Sequence, residues 1–112
     1  MNLPPYDLTD CVDRILRFRD ARNWRRFHSP KDLSAALAIE ASEVQELFLW
    51  QPAQGGDELR RDEDLVARAG DELADCAIYL LLTAHELGID LAQSVRDKLD
   101  RNESRFPAPE RG

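Results

Sequence analysis

The sequence predicts an all-α protein, a four-helix bundle-like subunit, on three observations. Apolar residues recur at three- and four-residue spacing along most of the chain, glycine occurs only at positions 55, 56, 70, 88 and 112, and no alternating β-branched run of strand length appears. A first helix is expected from Leu8 to Arg22, with Leu8, Cys11, Val12, Ile15, Leu16 and Phe18 on one stripe. A second is expected to open at Ser29, with Ser29 as cap, Pro30 in the first helical position and Asp32 at the positive end of the dipole, and to reach Trp50 before Pro52. Gln51 to Glu58, which contains Gly55-Gly56, reads as the one flexible connection. A long third helix is predicted over Leu59 to Leu87, stopped by Gly88. The fourth is predicted to start on the cap Asp90, with Gln93 three residues on, and to end at Phe106 before Pro107. Residues 1–107 then form one helical domain and 108–112 a loose tail.

At 112 residues the chain is long enough for one domain, and it buries roughly 65% of its unfolded surface without needing a staple. Cys11 and Cys76 form no Cys-x-x-Cys pair, which argues against a disulfide framework and fits a reducing cytosol. No apolar run is long enough to span a membrane, and the start MNLPPYDLTD lacks the basic and apolar regions of a signal peptide, so a cytoplasmic protein without a membrane partner is expected. With 15 basic against 22 acidic residues the net charge is −7, which disfavours polymeric nucleic acid, because counterion release needs a basic face. A small phosphorylated ligand remains compatible when clustered carboxylates hold a cation between it and the protein.

Helical geometry locates such carboxylates. With Leu33 as origin and about 100° per residue, Leu37, Val44, Leu47 and Phe48 share its stripe; Glu40 falls in the middle and Glu43 at the edge. On the third helix Leu65, Ala69, Cys76, Tyr79, Leu80 and Leu87 form the stripe, Glu72 lies in its centre and Asp75 at its edge. A single acid pair at i and i+3 usually marks a solvated face. Here two helices place an acid inside an apolar frame, and a carboxylate so placed must be paired, protonated or metal-bound. Four carboxylates between two helices repel one another unless a cation sits among them, and an all-oxygen site suits Mg²⁺ or Mn²⁺. The edge position of Glu43 leaves it nearer water than Glu40.

The fourth helix carries Leu91, Val95, Leu99 and Phe106, interrupted by Lys98, Asn102 and Arg105 at i, i+4, i+7. A single such base commonly snorkels over a core edge. Three polar residues together, following the carboxylate pairs, suit phosphate oxygens and a sugar or base edge. No Gly-rich phosphate loop is present. A ferritin-like di-iron bundle needs Glu-x-x-His pairs, whereas Glu43, Glu46, Asp75 and Ile78 stand three residues after the four acids. A non-catalytic helical interaction module is the other rival, and it predicts neither stabilisation by divalent metal nor nucleotide turnover.

The segments Glu40-Ala41-Ser42-Glu43 and Glu72-Leu73-Ala74-Asp75, with 28 residues between them, resemble the Glu-x-x-Glu and Glu-x-x-Asp signature of the MazG-like all-α nucleoside triphosphate pyrophosphohydrolases. The similarity extends to Arg19 through Leu33, with Trp24, His28 and Pro30, to Glu46 through Trp50, to Asp75 through Leu80, and to Lys98 through Pro107. These stretches resemble the dCTP pyrophosphatase branch and cover about residues 14–107 in order.

The resemblance implies hydrolysis of a nucleoside triphosphate between its α and β phosphates, giving a monophosphate and pyrophosphate, as a pool-cleaning reaction with magnesium as the metal. It implies Glu40, Glu43, Glu72 and Asp75 as the catalytic metal ligands, Trp24, His28, Trp50, Tyr79 and Asn102 around the nucleoside, and Lys98 and Arg105 at the phosphates. dCTP or a modified relative is the leading substrate, with another triphosphate or a phosphoribosyl-nucleotide as the alternative. Taken without the resemblance, Trp24 and Trp50 read as packing residues, His28 as a cap or surface group, and Tyr79 and Cys76 as core. Around the middle of the third helix Ala74, Ala77, Ile78, Leu80, Leu81 and Leu82 cover nearly the whole circumference, so a homodimer at least is expected, and the resemblance points to a tetramer.

Overall fold

A computed structural model describes residues 8–52 and 55–110, and these form an all-α fold with no strand among them. The elements are α1 (Thr9–Ala21), a 3₁₀ turn (Arg25–Phe27), α2 (Pro30–Phe48), α3 (Gly56–Leu59), α4 (Glu63–Glu86) and α5 (Leu91–Arg105). Residues 1–7 of the expected domain 1–107, residues 53–54 of the expected connection and residues 111–112 of the expected tail 108–112 lie outside the described residues, and 107–110 carry no regular structure.

Two caps fall where the sequence places them. The Ser29 Oγ accepts from the Asp32 N–H at 3.1 Å to open α2, with Pro30 in the first turn. The Asp90 carboxylate accepts from the Gln93 N–H at 3.1 Å to open α5. The predicted long third helix is instead broken. A single turn, α3, takes up Gly56 to Leu59, the end of the expected connection Gln51 to Glu58 and the expected first residue of the helix, and the chain then leaves helical geometry at Asp62 (φ −89°, ψ 92°). The Asp62 carboxylate accepts from the Leu65 N–H at 3.1 Å and so starts α4 afresh. An acid three residues before the apolar Leu65 is a start signal that competes with continued helix, and it wins here. Helix α2 also stops at Phe48, short of Trp50, with Leu49 as its cap residue.

Gly88 ends α4 with φ +65°, and its N–H donates to the His85 carbonyl at 3.1 Å while Ile89 donates to Ala84 at 2.9 Å. Asn23 likewise takes φ 55° after α1, a conformation its short polar side chain tolerates, and this turns the chain into the 3₁₀ segment.

The main packing is α2 on α4, with a lesser contact of α1 on α4. Leu33 of α2 and Leu65, Leu82 and Ala84 of α4 are the buried apolar residues. At the far end of α4, Glu86 accepts from Arg19 Nη1 at 3.1 Å and pairs with Arg25 Nε at 3.3 Å, while Arg19 Nε holds Asp20 at 2.9 Å. The buried Arg19 thus ties the end of α1 and the 3₁₀ turn to the end of α4, and its guanidinium holds the Asp20 carboxyl below the usual carboxylate range. The apolar stripe of α5 is not buried within the subunit: Val95 is 51%, Leu99 52% and Phe106 66% exposed. No helix among the described residues is long and apolar enough to cross a membrane.

Candidate metal centre

Each helix of the α2–α4 pair repeats at 3.6 residues per turn, so Glu40 and Glu43 stand one turn apart on α2, and Glu72 and Asp75 one turn apart on α4. Packing α2 on α4 brings these turns together. One carboxylate oxygen from each of Glu40, Glu43 and Glu72 lies within 4.8 Å of the other two, and all three side chains are half-buried. Asp75 is exposed, yet its charge acts on both Glu40 and Glu72.

The electrostatics of the cluster are those of an unbalanced anion set. Burial, then hydrogen bonding and charge from Glu43 and the charge of Asp75, push the Glu40 carboxyl above its ordinary value. Hydrogen bonding from Glu43 does the same to Glu72, followed by burial and by the charges of Glu43, Glu40 and Asp75. The neighbouring Cys76 thiol is pushed up by burial and then by the charges of Asp75 and the three glutamates. Glu40 Oε2 and Glu72 Oε2 are sealed from solvent and have no hydrogen-bond partner. Orphaned buried carboxylate oxygens are costly unless something binds them. A hard divalent cation with oxygen preference meets that requirement, and this donor set fits Mg²⁺ or Mn²⁺.

Beside the cluster lies a cavity of 510 Å³ lined by Glu43, Glu46, Leu47, Trp50, Arg68 and Glu72. Among these lining residues Trp50 is 89% exposed. Glu46 and Arg68 carry no site role in the sequence reading, although the signal was present: Glu46 follows Glu43 by three residues and Arg68 precedes Glu72 by four.

The remaining expected site residues do not line this cavity. Trp24 packs edge-on against Phe18, ring centres 5.6 Å apart, and Arg22 lies 3.5 Å over the Phe18 ring, which binds Trp24 to the end of α1. His28 is half-buried with Nδ1 sealed and unpartnered, and its N–H donates to the Arg25 carbonyl. Tyr79 is half-buried on α4, where its carbonyl accepts from Thr83 Oγ1 at 2.7 Å. On α5, Lys98 borders a separate groove with Leu91, Val95 and Leu99, Asn102 is half-buried, and the Arg105 guanidinium sits 5.0 Å over the Phe106 ring.

The sequence model of a family described as "MazG-like family" matches residues 35–112. Among curated relatives, dCTP pyrophosphatase 1 of Homo sapiens is 37% identical over 109 residues, covering 94% of this chain and 62% of that protein. The Rattus norvegicus dCTP pyrophosphatase 1 is 36% identical over 105 residues, covering 93% and 61%. The chain spans 53% to 62% of the length of the curated relatives it matches. Among solved structures, a pyrophosphatase from Archaeoglobus fulgidus DSM 4304 superposes with a TM-score of 0.81 at 29% identity, covering 96% of this chain and 99% of that one.

Proposed function

This chain belongs to the MazG-like family, and from that premise we propose that it is a magnesium-dependent nucleoside triphosphate pyrophosphohydrolase with dCTP or a modified dCTP as substrate. The observation that carries the proposal is the convergence of Glu40, Glu43 and Glu72 with two sealed, unpartnered oxygens among them. Relatives named dCTP pyrophosphatase and a structural neighbour named pyrophosphatase support the reaction class and, for the former, the substrate.

In this reading Glu40, Glu43, Glu72 and Asp75 hold the ion. When bound, Mg²⁺ or Mn²⁺ supplies positive charge against the triphosphate and lowers the pKa of water. The chain's own residues do the rest. Glu43, which belongs to the converging group and also lines the cavity, orients the attacking water and accepts its proton as the water oxygen bonds to phosphorus and the bond between the α and β phosphates breaks. The products are the nucleoside monophosphate and pyrophosphate. Trp50 at the cavity edge offers a face to the base, with Trp24, His28, Tyr79 and Asn102 completing the nucleoside pocket and Lys98 and Arg105 meeting phosphates. Those six residues lie off the cavity of the single chain, which supports a homodimer or homotetramer whose partner copies complete the site. Two free cysteines suit a cytoplasmic setting.

The test is pyrophosphate release from a panel of eight nucleoside triphosphates with and without Mg²⁺. Release from dCTP above the other substrates, only with the metal, is the expected result. Release from a different member of the panel moves the substrate and leaves the reaction class standing. No turnover of any member leaves the helical interaction module as the better reading.

A further inference from the structure

We propose that Arg68 is the phosphate-binding cation of the acidic cavity, holding oxygens of the triphosphate chain that the surrounding carboxylates repel; this rests on the pyrophosphohydrolase reading above. The cavity is lined by Glu43, Glu46 and Glu72, with Arg68 as the one cation among its lining residues. A metal ion offsets the carboxylates that bind it, but Glu46 lies outside the group whose oxygens converge, and a polyanion entering here still meets its charge. A guanidinium on the same wall removes that conflict. Lys98 and Arg105, the cations named by the sequence, lie elsewhere on α5.

The local geometry leaves Arg68 available. It stands on α4 one turn before Glu72, on the same face. Its Nε pairs with Asp64 Oδ2 at 3.3 Å, four residues earlier, and the side chain is 55% exposed. Were Arg68 present to neutralise the cluster, it would pair with Glu43 or Glu72; among the described residues its ion pair is with Asp64. That pair steadies the stem through Nε and leaves the two terminal nitrogens without a hydrogen-bond partner among the described residues. A planar fork of this kind matches the spacing of two phosphate oxygens.

The experiment compares the parent chain with Arg68→Ala and Arg68→Lys, using inorganic pyrophosphate with Mg²⁺ as the calorimetric probe beside dCTP kinetics. Alanine is the best helix former, and the lost i, i+4 pair is an exposed one, so both variants fold. Arg68→Ala raises the pyrophosphate Kd and the dCTP KM roughly 10- to 100-fold, the range for a charged hydrogen bond. The Mg²⁺ concentration needed for thermal stabilisation stays unchanged, and Arg68→Lys recovers part of the loss, since it restores the charge without the fork. Wild-type pyrophosphate affinity in Arg68→Ala, with turnover intact in the parent, overturns the assignment and spares the proposed activity. A parallel loss of Mg²⁺ affinity also overturns it, by making Arg68 a balancer of the metal centre. A parent chain that neither binds pyrophosphate nor releases it from any nucleotide removes the activity and the inference together.

Discussion

Glu40 and Glu72 sit in apolar stripes where an uncharged residue would pack better, and that misfit is what made them visible. Periodicity alone placed them at stripe centres, and the structure leaves one oxygen of each sealed and unpartnered. Removing one charge relieves repulsion in the metal-free protein while deleting a ligand. Glu40→Gln and Glu72→Gln should therefore keep the fold, hold or raise the metal-free melting temperature, and lower turnover by at least about 100-fold, since even outer partners of metal ligands are worth 10–100-fold. Millimolar Mg²⁺ should raise the melting temperature of the parent more than that of either variant, because it binds the native state through these oxygens. Equal shifts in all three proteins would count against the site. The same repulsion fixes the sign of a pH effect. Both carboxyls hold their protons more tightly folded than unfolded, so above the ordinary value of 4.5 the native state carries more protons than the unfolded one until the raised folded values are passed. Stability of the metal-free chain is greatest below that window and falls as pH rises through it. Melting curves from pH 4 upward, with chelator and with saturating Mg²⁺, test this: a fall that persists undiminished with Mg²⁺ would assign the effect to other groups. What periodicity could not supply was which acids meet. Helical angles rank residues by face, whereas the convergence of Glu43 with Glu40 and Glu72, and the exposure of Asp75, depend on how α2 seats on α4.

The helices themselves were legible wherever a single residue type settles their ends. Ser29 and Asp90 satisfy early N–H groups that would otherwise go unpaired, and Gly88 takes a left-handed conformation that other residues resist, so these boundaries follow from local chemistry. The break at Asp62 escaped because no Gly or Pro stands between Leu59 and Leu65, and a pattern read by spacing runs straight through a cap. That cap matters to the site: α4 carries Glu72, Asp75 and Arg68, and its register begins where the Asp62 carboxylate receives the Leu65 N–H, next to the buried Leu65 side chain. Asp62→Ala should cost about 1 kcal/mol of stability, within the usual range for a lost cap, and Asp62→Asn much less, because the amide oxygen still accepts the bond. Denaturant midpoints of the two variants check this. Equal losses would mean that charge at the helix start, rather than the hydrogen bond, is what Asp62 contributes.

For the whole molecule, the dimensions and the exposed apolar surface say the same thing. The radius of gyration is 17.3 Å, against roughly 13 Å for a compact domain of about 100 residues. Phe18 is 50%, Leu73 55% and Ile78 36% exposed, and an apolar groove between α1 and α4 is lined by Cys11, Ile15, Phe18, Ala77, Ile78 and Leu81. The all-round apolar character of the middle of α4 was plain in the sequence, but a sequence cannot state which part of that circumference α2 covers and which part is left over. The leftover part includes Ile78 and the α1 side of the groove. A monomer leaving this surface in water forgoes roughly 25 cal/mol per Å² of apolar area, which association recovers. The chain should therefore run as a dimer or tetramer in light scattering, with a melting temperature that rises with protein concentration because assembly stabilises the native state. Ile78→Asp places a charge in that contact, where desolvation costs several kcal/mol, and should shift the chain to monomers at micromolar concentration. If partner copies complete the nucleoside pocket, the same variant loses turnover, and activity returns at high protein concentration where association is restored. A parent of monomer mass at every concentration, or an Ile78→Asp variant that stays assembled and fully active, would refute this placing of the subunit contact.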